Sequence, residues 1–126
     1  MYEIIFYHSQ NGKSEIEEYL DELLAESKNN KSSRVLRTKI LTYMNVLSEY
    51  GTRIGSPVVK HIEDGIWELR PLKNRIFFFM WKDNQIVLLS YFIKKSRKTP
   101  KREIERAKSN RIDFIERCKN ECKDKQ

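Results

Sequence analysis

The sequence contains few of the residues that build cofactor sites, disulfide frameworks or metal centres. Among its 126 residues are four glycines, two cysteines and two histidines. The glycines are scattered and form neither a Walker loop nor a Gly-x-Gly-x-x-Gly fingerprint, so no cofactor is indicated. Cys118 and Cys122 lie in a lysine-rich segment, and only His8 and His61 could complete a metal site with them. We therefore expect no metal centre and no disulfide framework.

Long apolar runs are also missing. The longest run, residues 76–81, is far shorter than the ~20 residues that a transmembrane helix needs. The apolar start of the chain is broken by Glu3, which does not fit a secretion signal. These absences predict a cytoplasmic protein that does not contact a membrane. The length predicts one domain over residues 1–117, followed by a polar tail, residues 118–126, that we expect to be frayed.

Basic residues are plentiful and unevenly placed. The chain carries 25 lysines and arginines against 18 acidic residues, a formal net charge of +7. Residues 94–117 contain ten of the basic residues and four of the acidic ones, so that segment alone carries +6. A concentrated positive charge suits a polyanion, whose phosphates it contacts while counterions are released. The composition therefore favours a nucleic-acid partner, with a basic but otherwise ordinary soluble protein as the alternative.

The apolar periodicity and the turn signals predict an α+β fold. Ser14 and Glu17 form a capping box at the start of a first helix, and Asp64-Gly65 is a hairpin signal. The last two strands are apolar on both faces, which is typical of central strands. The predicted strands cover residues 2–7, 58–61, 66–70, 75–81 and 86–93, and the predicted helices cover 14–27, 34–50 and 101–117. The order β-α-α-β-β-β-β-α predicts a two-helix hairpin and a C-terminal helix packed on a twisted, mostly antiparallel sheet.

One cluster of cations follows from this order. Arg70 and Arg75 flank a four-residue turn, so we expect both guanidinium groups at the same edge of the sheet. The last strand returns to that edge, which adds Lys94, Lys95 and Lys98. Arginine can hold a phosphate through two parallel hydrogen bonds. The spacing therefore predicts a phosphate-binding rim, and the alternative is a solubilising basic rim without function.

Two motifs at this rim resemble those of a known family. The first is Ile66-Trp67-Glu68-Leu69-Arg70-Pro71-Leu72 followed by Asn74-Arg75-Ile76, with Lys60-His61 shortly before it. The second is Phe92-Ile93-Lys94-Lys95-Ser96-Arg97-Lys98-Thr99-Pro100, followed by Glu103-Ile104 and Ala107. Together they resemble the HigB-type toxins of the RelE/ParE toxin–antitoxin superfamily, and the resemblance covers nearly the whole chain.

The resemblance implies a RelE-like fold and a ribosome-dependent endoribonuclease. Such a toxin enters the A site of the 70S ribosome and cuts mRNA without a metal. A HigA-like helix-turn-helix antitoxin inhibits it, and the toxin meets operator DNA only through that antitoxin. In the reaction the ribose 2′-hydroxyl attacks the adjacent phosphate, which requires a base, an acid and cations for the developing charge. The superfamily also implies an alternative, a ParE-like toxin that binds DNA gyrase without cutting RNA. A nucleic-acid-binding protein without catalysis is a third reading.

The resemblance also implies roles for individual residues. Arg75 matches the family's arginine after the turn and is assigned to phosphate stabilisation, with Arg70 as a second candidate. Lys94, Lys95 and Lys98 fall where the family keeps basic residues, and one of them would be the acid. The identity of the general base stays open, and the candidates are His61, Lys60 and Glu68. The residues expected to be catalytic are Arg75, Arg70, Lys95, Lys98 and His61, and those expected to contact RNA are Lys60, Lys73, Lys94, Arg97, Lys101 and Arg102.

The sequence departs from the family at one position. Several RelE toxins carry a tyrosine on the final helix near the active site, and the corresponding residue is Ile104, which we expect in the core. Tyr91 could substitute only if its face is exposed.

Overall fold

The computed structural model describes residues 1–124, with side chains through residue 121. The chain forms a five-stranded sheet and three α-helices, in the predicted order. The strands are β1 (Glu3–Phe6), β2 (Val59–Glu63), β3 (Ile66–Leu69), β4 (Asn74–Trp81) and β5 (Gln85–Ile93). The helices are α1 (Glu15–Glu26), α2 (Lys31–Tyr50) and α3 (Lys101–Asp124), and a single 3-10 turn (Gly51–Ile54) follows α2.

The two N-terminal helices form the predicted hairpin. Ser14 caps α1 by accepting a hydrogen bond from the Glu17 amide at 3.3 Å, as the capping box indicates. Helix α2 begins three residues earlier than predicted. Asn30 caps it by accepting from the Ser33 amide at 3.2 Å, so the polar break that we expected over residues 29–33 already belongs in part to the helix.

The sheet is mixed, with the strand order β1-β5-β4-β3-β2. β1 pairs in parallel with β5, and the other three pairs are antiparallel, which confirms the mostly antiparallel sheet. The longest ladder joins β4 and β5 from Asn74 opposite Ile93 to Trp81 opposite Gln85. Both strands are buried over most of their length because helices cover both faces, as their apolar composition predicts.

The sheet separates two apolar clusters. The helical hairpin covers one face, where Leu20 and Leu47 pack with Ile76 and Phe78 of β4. Helix α3 covers the other face, where Ile104 and Ala107 pack with Phe77. We call these the hairpin face and the α3 face. Because side chains alternate along a strand, the face of each rim residue follows from its position in β3 or β4.

Helix α3 is longer than expected. It continues to Asp124, whereas the periodicity predicted an end at residue 117 and a frayed tail. Residues 118–124 are therefore helical, and the last two residues of the predicted tail lie outside the described part of the chain. Within residues 1–124, no helix is both long and apolar enough to cross a membrane.

Candidate functional site

The turn after β3 and the loop after β5 meet at one end of the sheet. The Asn74 amide donates to the Pro71 carbonyl at 3.0 Å, which closes the turn. The Lys94 amide donates to the Lys73 carbonyl at 2.7 Å, so the β4–β5 ladder continues one step beyond the strands. The convergence predicted from the strand order is therefore present in the backbone. We call this end of the sheet the rim.

A buried carboxylate organises the rim. Glu68 is 1% exposed and lies on the α3 face of β3. Its Oε1 atom lies 3.4 Å from Arg70 Nε and 3.6 Å from Arg75 Nε. A buried carboxylate without cations would be costly, so Glu68 draws both arginines together. The adjacency of Arg70 and Arg75 that the turn length predicts is confirmed, and we call these three residues the rim cluster.

Arg75 is the more deeply held of the two arginines. It is 8% exposed, and its Nη1 donates to the carbonyls of Leu72 at 2.7 Å and Asn74 at 2.8 Å. Burial lowers the pKa of Arg75, Glu68 opposes that shift, and Arg70 adds to it. An arginine so placed still carries its charge, because its ordinary pKa is far above neutrality. Its hydrogen bonds to described residues all come from Nη1, so Nη2 is the terminal nitrogen left for a ligand.

A basic pocket opens beside Arg75. It has a volume of about 740 Å³. Its cationic lining consists of Lys73, Arg75, Lys94, Lys95 and Arg97, and Ile93 and Ser96 complete it. Thr99, in the same loop, donates from Oγ1 to Glu68 Oε2 at 3.3 Å. The loop that supplies most of the lysines is thus tied to the carboxylate that holds the arginines.

The comparison with known families bears on this site. A family described as Phage derived protein Gp49-like (DUF891) matches residues 20–111, which run from within α1 to within α3 and include the whole rim. The chain belongs to the Gp49-like family. This is a RelE/HigB-like toxin family, and it is associated with the toxins of toxin–antitoxin systems. A search of curated proteins found no match.

The remaining candidate cations of this Gp49-like chain are spread around the rim. Arg70 reaches Glu68 but does not line the basic pocket. Lys98 is exposed in the loop and lies outside the pocket lining. Lys101 and Arg102 are exposed in the first turn of α3, where Arg102 lines a neighbouring pocket. The structure therefore gathers the lining cations around Arg75 and places the others at the margin.

The two candidate bases on β2 lie on opposite faces of the sheet. Lys60 is opposite Glu68 and His61 is opposite Trp67, and directly opposite residues share a face. The His61 ring packs edge-on against Trp67 at 5.1 Å between centroids, and Trp67 packs on the hairpin-face core. Lys60 therefore shares the face of the rim cluster. His61 lies on the opposite face and does not join the arginines, contrary to our expectation.

Ile104 and Tyr91, the two positions that bear on the tyrosine of the RelE toxins, are both at least partly buried. Ile104 is 8% exposed and packs in the α3-face core, as expected. Tyr91 is half-buried on the hairpin face and stacks on Tyr19, with ring centroids 4.3 Å apart. Burial raises the pKa of Tyr91, and Tyr19 adds to the shift. The Tyr91 ring therefore does not present an open face at the rim cluster.

Sequence reasoning missed a second arginine cluster. Arg106 Nη1 donates to Glu15 Oε2 at 2.6 Å, and Nη2 donates to Glu103 Oε2 at 2.9 Å and to the Tyr91 carbonyl at 2.8 Å. Glu15 Oε1 accepts from the Tyr91 amide at 3.0 Å. We call Glu15, Glu103 and Arg106 the clamp cluster. Arg106 was counted only as part of the basic segment, and no sequence signal links it to a residue 91 positions away.

In the described part of the chain, no group of three or more His, Cys, Asp or Glu side chains is placed to hold a metal ion. The cations at the rim are guanidinium and ammonium groups. Both bind anions, and an ammonium group can also transfer a proton.

Proposed function

We propose that this chain is the toxin of a type II toxin–antitoxin pair and a HigB-like, metal-independent mRNA endonuclease that acts in the cytoplasm on the 70S ribosome. A HigA-like helix-turn-helix antitoxin would neutralise it and would carry it to operator DNA. The observation that carries the proposal is the basic pocket, in which Arg75 is held by Glu68 beside Lys94, Lys95 and Arg97. Membership of a toxin family supports the same reading.

The pocket suits a scissile phosphate. In the proposed reaction the 2′-oxygen of the ribose bonds to the adjacent phosphorus, and the bond to the 5′-oxygen of the next nucleotide breaks. The products are a 2′,3′-cyclic phosphate and a 5′-hydroxyl. Arg75 Nη2 and the pocket lysines would stabilise the additional negative charge of the phosphorane, because donors fixed in advance need no reorganisation at that moment.

The two proton transfers need one group each. Lys95 lines the pocket and is our first candidate for protonating the leaving 5′-oxygen, with Lys98 next along the loop. For the base that removes the 2′-hydroxyl proton, the placement favours Lys60 over His61, since only Lys60 shares the face of the rim cluster. Glu68 is already committed to two arginines and Thr99, so we assign it to positioning.

The test is primer extension on mRNA bound to intact 70S ribosomes. We expect the wild type to cut mRNA and Arg75→Ala to lose at least 100-fold in rate, as loss of a fixed charge-stabilising donor typically costs. Arg111→Ala is the matched control, because Arg111 donates to the Asp64 carbonyl in the β2–β3 turn at the opposite end of the sheet. Circular dichroism of both variants checks the fold. Intact mRNA together with inhibited DNA supercoiling would contradict the proposal and indicate a gyrase-binding toxin.

A further inference from the structure

A second cleft adjoins the basic pocket. It has a volume of about 440 Å³ and shares Ile93, Lys95 and Ser96 with that pocket. Beyond the shared residues it is bounded by Tyr91, Phe92, Pro100 and Arg102 and by the clamp cluster. We call it the side pocket. Since the two pockets have a common wall, one ligand can place an anion in the first and a neighbouring group in the second.

The side pocket combines apolar walls with one fixed acceptor. Phe92, Ile93 and Pro100 supply the apolar surface. Glu103 is 16% exposed, and its Oε2 atom is held by Arg106 at 2.9 Å. Its Oε1 atom has only a loose contact, with Arg102 Nε at 3.8 Å. Arg102 is 86% exposed, so its planar guanidinium can move over a ligand, whereas Glu103 cannot move away from one.

We propose that the side pocket binds one nucleobase of the RNA whose phosphate occupies the basic pocket, an inference that rests on the function proposed above. A nucleobase has two flat faces and a hydrogen-bonding edge. Proteins read unpaired RNA bases by stacking them on aromatic or arginine planes and by bonding that edge. Phe92, Ile93, Pro100 and Arg102 match the faces, and Glu103 Oε1 matches a donor on the edge.

The acceptor also selects among bases. Cytosine, adenine and guanine carry an exocyclic amino group that donates hydrogen bonds, whereas uracil carries carbonyl oxygens in its place. A fixed carboxylate attracts the amino group and repels the carbonyl. The side pocket should therefore favour amino-bearing bases over uracil. An acidic peptide, the other polyanion that a basic rim could attract, would face Glu15 and Glu103 in the same cleft.

The experiment is a titration of the purified chain, followed by amide chemical shifts, with cytidine 3′-monophosphate, uridine 3′-monophosphate and ribose 5-phosphate. The two nucleotides differ only at positions 3 and 4 of the pyrimidine: cytosine has an amino group at C4 and an acceptor at N3, whereas uracil has an oxo group at C4 and a donor at N3. We expect the cytidine nucleotide to bind about tenfold more tightly than the uridine nucleotide, as one hydrogen bond to a charged acceptor typically gives. Ribose 5-phosphate should bind most weakly of the three.

Variants separate the two pockets. Glu103→Gln should reduce the cytidine-to-uridine ratio to near one, whereas Glu105→Gln, an exposed residue on the same helix outside the pocket lining, should keep it. Arg97 lines only the basic pocket, so Arg97→Ala should weaken the binding of all three ligands alike. If Glu103→Gln does not fold, the comparison of the two nucleotides on the wild type still tests the proposal.

The outcomes distinguish this inference from the proposed function. Equal binding of all three ligands would overturn the nucleobase pocket and leave the phosphate site in place. No binding at millimolar ligand, together with ribosome-dependent cleavage, would also overturn it. The expected ranking without any mRNA cleavage would support the nucleobase pocket while contradicting the endonuclease.

Discussion

The rim cluster and the clamp cluster use the same residue types in opposite proportions. At the rim, two arginines share one carboxylate, Glu68, at 3.4 and 3.6 Å. In the clamp, two carboxylates share one arginine at 2.6 and 2.9 Å. The Nε atoms of Arg70 and Arg75 are buried without a hydrogen-bond partner among the described residues, whereas both terminal nitrogens of Arg106 are bonded.

This difference separates Arg106, a structural anchor, from the arginines of the candidate phosphate site. The clamp closes an open strand edge. β1 pairs with β5 only as far as Leu88, and beyond it Glu15 and Arg106 bond the Tyr91 backbone, while Asn110 Nδ2 donates to the Leu89 carbonyl at 2.9 Å. The rim cluster has one positive charge in excess and donors left over, which is the condition for holding an anion.

The largest effect is expected when the rim loses its carboxylate. Glu68→Gln leaves the buried guanidinium group of Arg75 and the partly exposed one of Arg70 without a counter-ion, which should lower the free energy of unfolding by about 3 kcal/mol. Urea unfolding at pH 7 measures it. The exposed Glu105→Gln should change stability by less than about 0.5 kcal/mol. An unchanged free energy of unfolding in Glu68→Gln would mean that the ion pairs do not hold the rim together.

The second prediction separates the two rim arginines. Arg75→Lys keeps the charge but loses the forked donors, so cleavage should slow about 100-fold, which corresponds to about 2.7 kcal/mol. Arg70→Lys should cost less than about tenfold, because Arg70 does not line the basic pocket. Single-turnover cleavage on ribosomes provides both rates. Equal losses in the two variants would show that the arginines act as one unit.

The third prediction concerns the clamp, where we expect a smaller change. Arg106 and Glu15 are each about two-fifths exposed, so solvent screens their attraction. Arg106→Gln should lower the free energy of unfolding by about 1 kcal/mol. A double-mutant cycle with Glu15→Gln should show positive coupling, since the two side chains bond each other and the same strand edge. Additive losses would mean that the edge is closed by other contacts.

What the sequence could predict depends on how local each feature is. The strands of the sheet and the pairing of Arg70 with Arg75 follow from alternation and a short turn, so both were predictable. The face on which His61 lies depends on the exact β2–β3 register, and that strand has an irregularity between His61 and Glu63. The closeness of His61 to the first motif in the sequence therefore could not predict the face of the sheet on which it lies.

The clamp and the full length of α3 were beyond sequence reasoning for a different reason. Arg106 meets Glu15 only because α1 and α3 both reach the uncovered edge of β5, a consequence of tertiary packing. The predicted end of α3 rested on the loss of apolar periodicity after residue 117, but charged residues also form helices readily. Composition marked where the cations are, and packing decides which of them are structural.

The smallest expected effect belongs to a half-buried hydrogen bond between Tyr7 and Asp113, which joins α3 to the end of β1. Tyr7 Oη donates to Asp113 Oδ2 at 2.7 Å, and Arg117 Nη2 lies 2.7 Å from the same oxygen. The Tyr7 hydrogen bond, aided by Arg117, lowers the pKa of Asp113. A carboxyl whose pKa is lower in the folded state stabilises the protein above its unfolded pKa, near 4, and this contribution is lost as the pH falls through the folded value. Asp113→Asn should therefore be less stable than the wild type at pH 7, and the gap should narrow as the pH falls below about 4. Urea unfolding of both proteins over that range measures the gap, and a gap independent of pH would mean that Asp113 acts through packing and not through its charge.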